Sequence, residues 1–273
     1  MNEDNSFWGH LEVLRWVILR CLAVLVGVAV VAFCFKSFLF DSIVLAPLHA
    51  DFATYRCMDA VATLLQMPGL SPQINEVELI NINLASQFFI HMEMAGVMAL
   101  IVVFPYLTIE LWLFVKPALF ATERKPAVTG CISFVLLFFL GIATSYFIIL
   151  PLTINFLGNY QVSPTVANQI SLNSYISTFL SLCLLLGIVF EMPVVAYFFG
   201  RIGVLKSSFL KKYRKVAIVV IMCLAAVITP TADAFTMMVV VLPLWLLYEL
   251  SIGVVRQVEN HDMTSRDQSD AIH

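Results

Sequence analysis

Carboxylates carry the chemistry this sequence has to offer, and their surroundings decide what that chemistry is. Glu93, Glu110, Glu191, Asp233 and Glu249 all stand in or beside long apolar runs. A carboxylate at membrane depth is costly, so it marks an ion or proton path or pairs with a polar group inside a helix bundle. Glu110 and Glu249 fall near the ends of apolar runs, where headgroups or nearby lysines and arginines can solvate them. Asp233 follows Pro230 in a tight turn, and its side-chain oxygen suits a helix N-cap. Glu93 lies close to His91, within reach of water at a membrane surface. Glu191 differs from the other four. It ends the run Phe179–Phe190, which only Ser181 and Gly187 interrupt, and Pro193 frees the carbonyl of Val189 four residues back. A glutamate there needs a proton or a hydrogen-bond partner. It either bonds to a neighbour on its own helix or docks a polar group from another membrane helix.

Two further acids lie among basic or apolar residues. Glu12 and Arg15 share one helix face at i,i+3 spacing. Glu123 follows Pro117 and precedes Arg124. Each acid either forms a local surface pair, which contributes little, or receives an external guanidinium. A carboxylate binds arginine through two parallel hydrogen bonds, which lysine cannot copy. Spacing alone does not choose between these roles. Other chemistry is absent. No G-x-x-x-x-G-K-[ST], H-E-x-x-H or G-x-S-x-G pattern occurs. The cysteines Cys21, Cys34, Cys57, Cys131, Cys183 and Cys223 show no metal or disulfide spacing. No catalytic residue, metal, cofactor or nucleic-acid partner is expected.

The elements that position these acids follow from composition. Of 273 residues, 61% are hydrophobic and 12% charged, and the mean hydropathy is +0.94. Soluble domains carry about 25% charged residues, so an ordinary soluble domain, a disordered chain and a coiled coil are excluded. The expected fold is an all-α membrane protein. Its six transmembrane helices fall near residues 17–38, 88–112, 129–150, 175–199, 216–229 and 234–252. Barrel strands are excluded because no alternating pattern of about ten residues recurs.

Lysines and arginines set the orientation. Loops 113–128 and 200–215 are basic, whereas 39–87 carries Asp41, Asp51, Asp59, Glu76 and Glu78 against Arg56. Of the 15 basic residues, only Lys36 and Arg56 fall on the outer side. Both termini are therefore expected in the cytoplasm. The last two helices are short. The stretch Val216–Thr229 reaches about 21 Å as a helix, and Pro243 interrupts the sixth span. The outer loop, about 39–87, contains the step Ala46-Pro47-Leu48 and the cluster Pro68, Gly69 and Pro72. Residues 1–255 form one integral membrane domain, and 256–273 form a polar cytoplasmic tail expected to be disordered. No cleavable signal peptide is expected.

Several short motifs together resemble one family. They are His10-Leu11-Glu12-Val13-Leu14-Arg15, Ala46-Pro47-Leu48, Ala85-Ser86-Gln87-Phe88-Phe89, Phe104-Pro105 and Leu111-Trp112-Leu113-Phe114-Val115-Lys116-Pro117-Ala118-Leu119-Phe120-Ala121-Thr122-Glu123-Arg124. Gly141 with Tyr146 and Pro151, Phe190-Glu191-Met192-Pro193, Tyr213-Arg214-Lys215, Thr229-Pro230 with Asp233, and Leu247-Tyr248-Glu249 follow. In this order, from about His10 to Val255, they resemble TatC, the multispanning core subunit of the twin-arginine protein translocase. The resemblance implies a receptor and scaffold rather than an enzyme. Such a protein binds signal peptides with consecutive arginines and starts export of folded proteins, driven by the proton-motive force, across a bacterial cytoplasmic (inner) membrane. Implied partners are small single-span subunits of the TatA/TatB type and further copies of the chain in a receptor complex.

By the same resemblance, Glu123 contacts the arginine pair, with Phe114, Arg15 and Arg124 shaping that cytoplasmic site. Glu191, with Tyr146, marks contact with partner helices. Pro47, Phe88, Pro105 and Asp233 match positions tied to structure or assembly. One departure stands out. The family motif is similar to His-Leu-x-Glu-Leu-Arg, but Val13 takes the Glu position and Glu12 sits one place earlier, about 100° round a helix. Glu110 stands where many relatives have Gln, one turn before Phe114, and is expected to offset the missing acid. The competing reading is a proton-coupled small-molecule transporter using Glu93 and Glu191. Transporters of that kind often show internal repeats, and none is detectable here.

Overall fold

A bilayer offers backbone groups no water, so a spanning segment must satisfy its own hydrogen bonds as a helix. The computed structural model describes the backbone of residues 3–64, 79–115, 124–161, 163, 169–229 and 233–270. Side chains are described for 12–60, 62–64, 79–114, 130–161, 163, 169–229 and 233–260. Among these residues, five helices are long and apolar enough to cross a membrane: Glu12–Cys34, Ser86–Phe114, Gly130–Asn159, Leu172–Arg201 and Ala234–Asn260. They correspond to the first four expected spans and the sixth. The expected fifth, 216–229, is a helix over Arg214–Ile228 of 15 residues. At about 1.5 Å per residue it reaches about 22 Å, short of a hydrocarbon core of about 30 Å.

The helices, in chain order, are α1 (Glu3–Cys34), α2 (Ala53–Leu64), α3 (Ser86–Val115), α4 (Arg124–Thr144), α5 (Leu150–Asn159), α6 (Leu172–Val189), α7 (Met192–Arg201), α8 (Ser207–Lys212), α9 (Arg214–Ile228) and α10 (Ala234–Asp270). Wider π-helical turns occupy Phe38–Val44 and Ser145–Ile149, and a 3-10 turn covers Ala46–Leu48. Two short strands, β1 (Leu79–Ile80) and β2 (Ile170–Ser171), pair in parallel, with Leu79 opposite Ile170. The chain divides into two compact units. One comprises Met1–His49, Glu78–Leu136 and Gln169–Ile176; the other comprises Ala50–Val77, Leu137–Asn168 and Ser177–His273.

In the first unit α1 packs along α3. Ile90, Met94, Ala99 and Val103 recur at helical spacing and are buried, while Phe88, Met92, Val102 and Ile109 are exposed. His91 stacks on Phe33 with centroids 4.0 Å apart, and Phe40 meets its ring edge-on at 5.7 Å. The most apolar stretch of α1 is not buried against the chain. It thus presents a continuous apolar surface, as a helix in lipid does. Pro105 lies inside α3 and cannot donate to the carbonyl of Ile101. The turn after α1 ends with Leu39, Val44 and Pro47 buried, and the Tyr175 hydroxyl donates to the carbonyl of Val44.

In the second unit α2 is fastened beside Pro151. Proline has no N–H for the carbonyl four residues back. That carbonyl, on Phe147, accepts the Thr54 hydroxyl instead. The neighbouring Tyr55 hydroxyl donates to the carbonyl of Pro151 at 3.3 Å. Tyr55 is 1% exposed, and burial pushes its phenol up to about 12. Phe52 stacks on Phe147 at 5.7 Å and meets Tyr146 edge-on at 5.4 Å.

Helices α4 and α6 cross at two glycines. A Cβ on Gly141 would lie 2.8 Å from the Leu186 carbonyl oxygen and 2.9 Å from Gly187 Cα. A Cβ on Gly187 would in turn lie 3.0 Å from the Phe138 ring and 3.1 Å from the Ile142 side chain, so both positions leave no room for one. After α7 the chain turns through Gly203, whose φ of 79° is costly for residues with a Cβ. The acid after Pro230 caps α10, since Asp233 Oδ1 accepts the Thr236 N–H at 2.7 Å. Asp233→Ala is expected to cost about 1 kcal/mol of stability, with Asp233→Asn retaining most of it, measured by thermal unfolding in detergent.

Helix α10 runs to Asp270, well past the expected end of the sixth span near 252. Beyond Gly253 it meets no glycine or proline to stop it. Its extension is also tied to α8. The Glu259 carboxylate accepts the Ser207 N–H at 2.9 Å and the Ser207 hydroxyl, and Tyr248 donates to the Leu210 carbonyl at 2.8 Å.

Candidate functional site

Residues singled out for receiving a guanidinium lie on α1, α3 and the segment after α3. Glu12 and Arg15 are both exposed on α1. Their i,i+3 spacing permits an ion pair, but among the described residues neither has an ion-pair partner, so both side chains stand uncommitted. Phe114 is half-buried near the end of α3. Glu123, the run Lys116–Phe120, the Pro68–Pro72 cluster and Pro230 lie outside the described residues, as does the side chain of Arg124.

Glu110 is buried, and two residues occupy its carboxylate. Tyr106, one turn earlier on α3, donates its hydroxyl to Oε1 at 2.8 Å. Arg20 on α1 brings Nη1 to 3.4 Å of the same oxygen. Arg20 also sends Nε toward the Trp16 carbonyl at 3.4 Å. Sequence reasoning missed Arg20 because it counted the residue among the inner-side cations. The signal was present: Arg20 is the one arginine inside the first expected span, and a charge there calls for a partner of opposite sign. Tyr106 is readable only once Glu110 is placed on a helix, one turn away.

Glu191 sits where α6 breaks. Its N–H donates to the Ile188 carbonyl at 3.1 Å, three residues back, and its own carbonyl accepts from Val194 and Val195 at 3.0 Å each. Pro193 starts α7. The backbone is therefore satisfied across the break, but the side chain is not. Glu191 is 5% exposed, and among the described residues neither carboxyl oxygen has a partner in hydrogen-bonding geometry. The backbone of Phe138 on α4 exerts a weak hydrogen-bonding influence on the carboxylate. Among the described residues no hydrogen bond from this carboxyl to a neighbour on its own helix is present.

The remaining positions have structural surroundings of their own. Tyr146 lies in the wide turn between α4 and α5 and meets Phe179 edge-on at 6.1 Å. Pro47 is buried in its 3-10 turn. Phe88 is exposed at the start of α3, edge-on to Phe33 at 6.4 Å. Glu249 pairs with Arg214 at 2.6 Å, which solvates it as its place near the end of the span leads one to expect. Glu93 is exposed. Among the described residues no cluster of three or more His, Cys, Asp or Glu forms a metal site.

This architecture is that of a multi-span helical membrane protein. The family model described as "Sec-independent protein translocase protein (TatC)" matches residues 9–243. The protein of that name from Blattabacterium sp. subsp. Periplaneta americana is 34% identical over 257 residues, covering 93% of this chain and 96% of the relative. The TatC protein of Koribacter versatilis is 34% identical over 205 residues, 74% of each chain. Among solved structures, a twin arginine translocase receptor, TatC, aligns with a TM-score of 0.68 and 29% identity, over 92% of this chain and 99% of that one. The chain belongs to the TatC family of Sec-independent protein translocase proteins. Members of that family are translocase components and not enzymes.

Proposed function

We propose that this chain is the receptor subunit of a twin-arginine translocase in a bacterial cytoplasmic membrane. It spans the membrane six times, with α9 as the short fifth span and both termini in the cytoplasm. Signal peptides with consecutive arginines bind at the cytoplasmic face to Glu123, Glu12 and Glu110, with Arg15, Phe114 and Arg124 completing the surface. Glu191, with Tyr146 on the same unit, docks small single-span subunits of the TatA/TatB type. Pro47, Phe88, Pro105 and Asp233 hold the frame in which several copies assemble. Export of folded precursors is driven by the proton-motive force.

The observation that carries this reading is the match, over nearly the whole of both chains, to a solved twin arginine translocase receptor. The exposed Glu12, with no ion-pair partner among the described residues, supports it, because its carboxylate is open to an incoming guanidinium. The test is a photo-crosslinking residue at position 122, beside Glu123, in membranes exposed to a twin-arginine peptide. An adduct is expected with the arginine pair and is lost when both arginines become lysines, because lysine lacks the planar fork. Equal labelling by both peptides, or by neither, overturns the reading.

A further inference from the structure

The contact between Arg20 and Glu110 has the chemistry of a receptor already filled from within. Glu110 is the deeply placed partner, its side chain 7% exposed, while that of Arg20 is 55% exposed. The guanidinium thus covers the carboxylate from outside. Its hold is loose. Strong arginine–carboxylate pairs meet at about 2.7–2.9 Å through two parallel bonds, whereas Arg20 offers one nitrogen at 3.4 Å and points another toward the Trp16 carbonyl. Tyr106, on the helix of Glu110 itself, donates to the same Oε1. The carboxylate is therefore oriented and charge-compensated, but not gripped.

We infer that Arg20 is a resident stand-in for a substrate guanidinium on Glu110, and that a signal-peptide arginine displaces it. This rests on the proposed reading of the chain as a twin-arginine receptor and adds a selection step to it. An incoming guanidinium replaces a one-point contact with a two-point one and gains by the exchange. An ammonium can only match what Arg20 already supplies. Arg20 thus lowers the affinity of the site for any cation and penalises lysine more than arginine. It acts by competing for Glu110, not by touching the peptide.

The experiment uses the full-length protein in lipid nanodiscs, titrated with a fluorescent synthetic twin-arginine signal peptide and its twin-lysine counterpart. Arg20→Gln is expected to bind the arginine peptide about five- to tenfold more tightly, about 1–1.4 kcal/mol, and to gain still more for the lysine peptide, narrowing the preference between them. Arg20→Lys gives a smaller gain in the same direction. In Arg20→Gln/Glu110→Gln the gain is absent, because the contested carboxylate is gone. The melting temperature of Arg20→Gln falls while its affinity rises, whereas a purely structural arginine would lower both. Unchanged or weaker binding of the arginine peptide by the folded variants overturns the inference. If Arg20→Gln does not fold, Arg20→Lys alone decides by the same criterion. A parent protein with no preference for arginine over lysine overturns the receptor reading itself, and this inference with it.

Discussion

Gly141→Val is expected to be the most destabilising single substitution in the second unit. The reason is the nature of the atoms a side chain would meet there. At most buried positions an added methyl presses on other side chains, which rotate aside. At Gly141 the first obstacles are the Leu186 carbonyl oxygen at 2.8 Å and Gly187 Cα at 2.9 Å, followed by Phe190 Cβ at 2.9 Å. Two of the three belong to backbone, so relief requires moving α6 as a body. Overpacking a well-filled interior costs about 1–3 kcal/mol, occasionally more, and this site belongs at the upper end. Alanine already places its Cβ in the clash and should show a large part of the loss. Gly96 and Gly253 supply the control, since nothing lies within 4 Å of a Cβ built at either. Alanine there should be neutral or stabilising by up to about 1 kcal/mol through helix propensity. Thermal unfolding of the purified variants in detergent checks the contrast. A Gly141→Val protein as stable as Gly96→Ala would mean that α4 and α6 do not meet at the glycines.

Glu191→Met is expected to separate stability from function. Among the described residues both carboxyl oxygens are buried without a hydrogen-bond partner, and an unsatisfied buried polar group costs about 1–3 kcal/mol. An apolar side chain of similar length relieves that penalty, so the isolated protein should become more stable by roughly this amount. On the proposed docking role, the same change should abolish co-purification of the single-span subunits and with it export, because the polar group assigned to hold their helices is gone. Glu191→Gln keeps hydrogen-bonding capacity and should retain part of the recruitment. Pull-down from membranes expressing the small subunits, alongside unfolding of the chain alone, gives both readouts. A methionine variant that still recruits its partners and exports normally sinks the docking role. One that loses both stability and recruitment assigns Glu191 a structural role instead.

The parts of this molecule that the sequence exposes are those a bilayer dictates. Long apolar runs leave few options but helices, so α1, α3, α6 and α10 are legible, as is the break that Pro193 forces beside Glu191. The cap at Asp233 and the solvation of Glu249 are also readable, because both rest on local chemistry. What escapes the sequence depends on tertiary contact. Helix α2 has mixed polarity and holds its place through Thr54 and Tyr55, whose partners, Phe147 and Pro151, lie more than ninety residues away. The β1–β2 pairing joins two-residue strands that carry no periodic signal. Arg20 looks like one more inner-side cation until α3 brings Glu110 to it. The close approach at Gly141 and Gly187 needs both helices in place before either glycine has a meaning.

Helix α10 has a mechanical consequence. Its 37 residues make a rod of about 55 Å, close to twice the thickness of a hydrocarbon core of about 30 Å. A rod longer than the layer it crosses must tilt or project beyond it. Pro243 sits near one end and is the natural place for it to flex, while the Glu259–Ser207 contact clamps the long arm to the short helix α8. The clamp therefore braces the stretch of the helix that outreaches the layer.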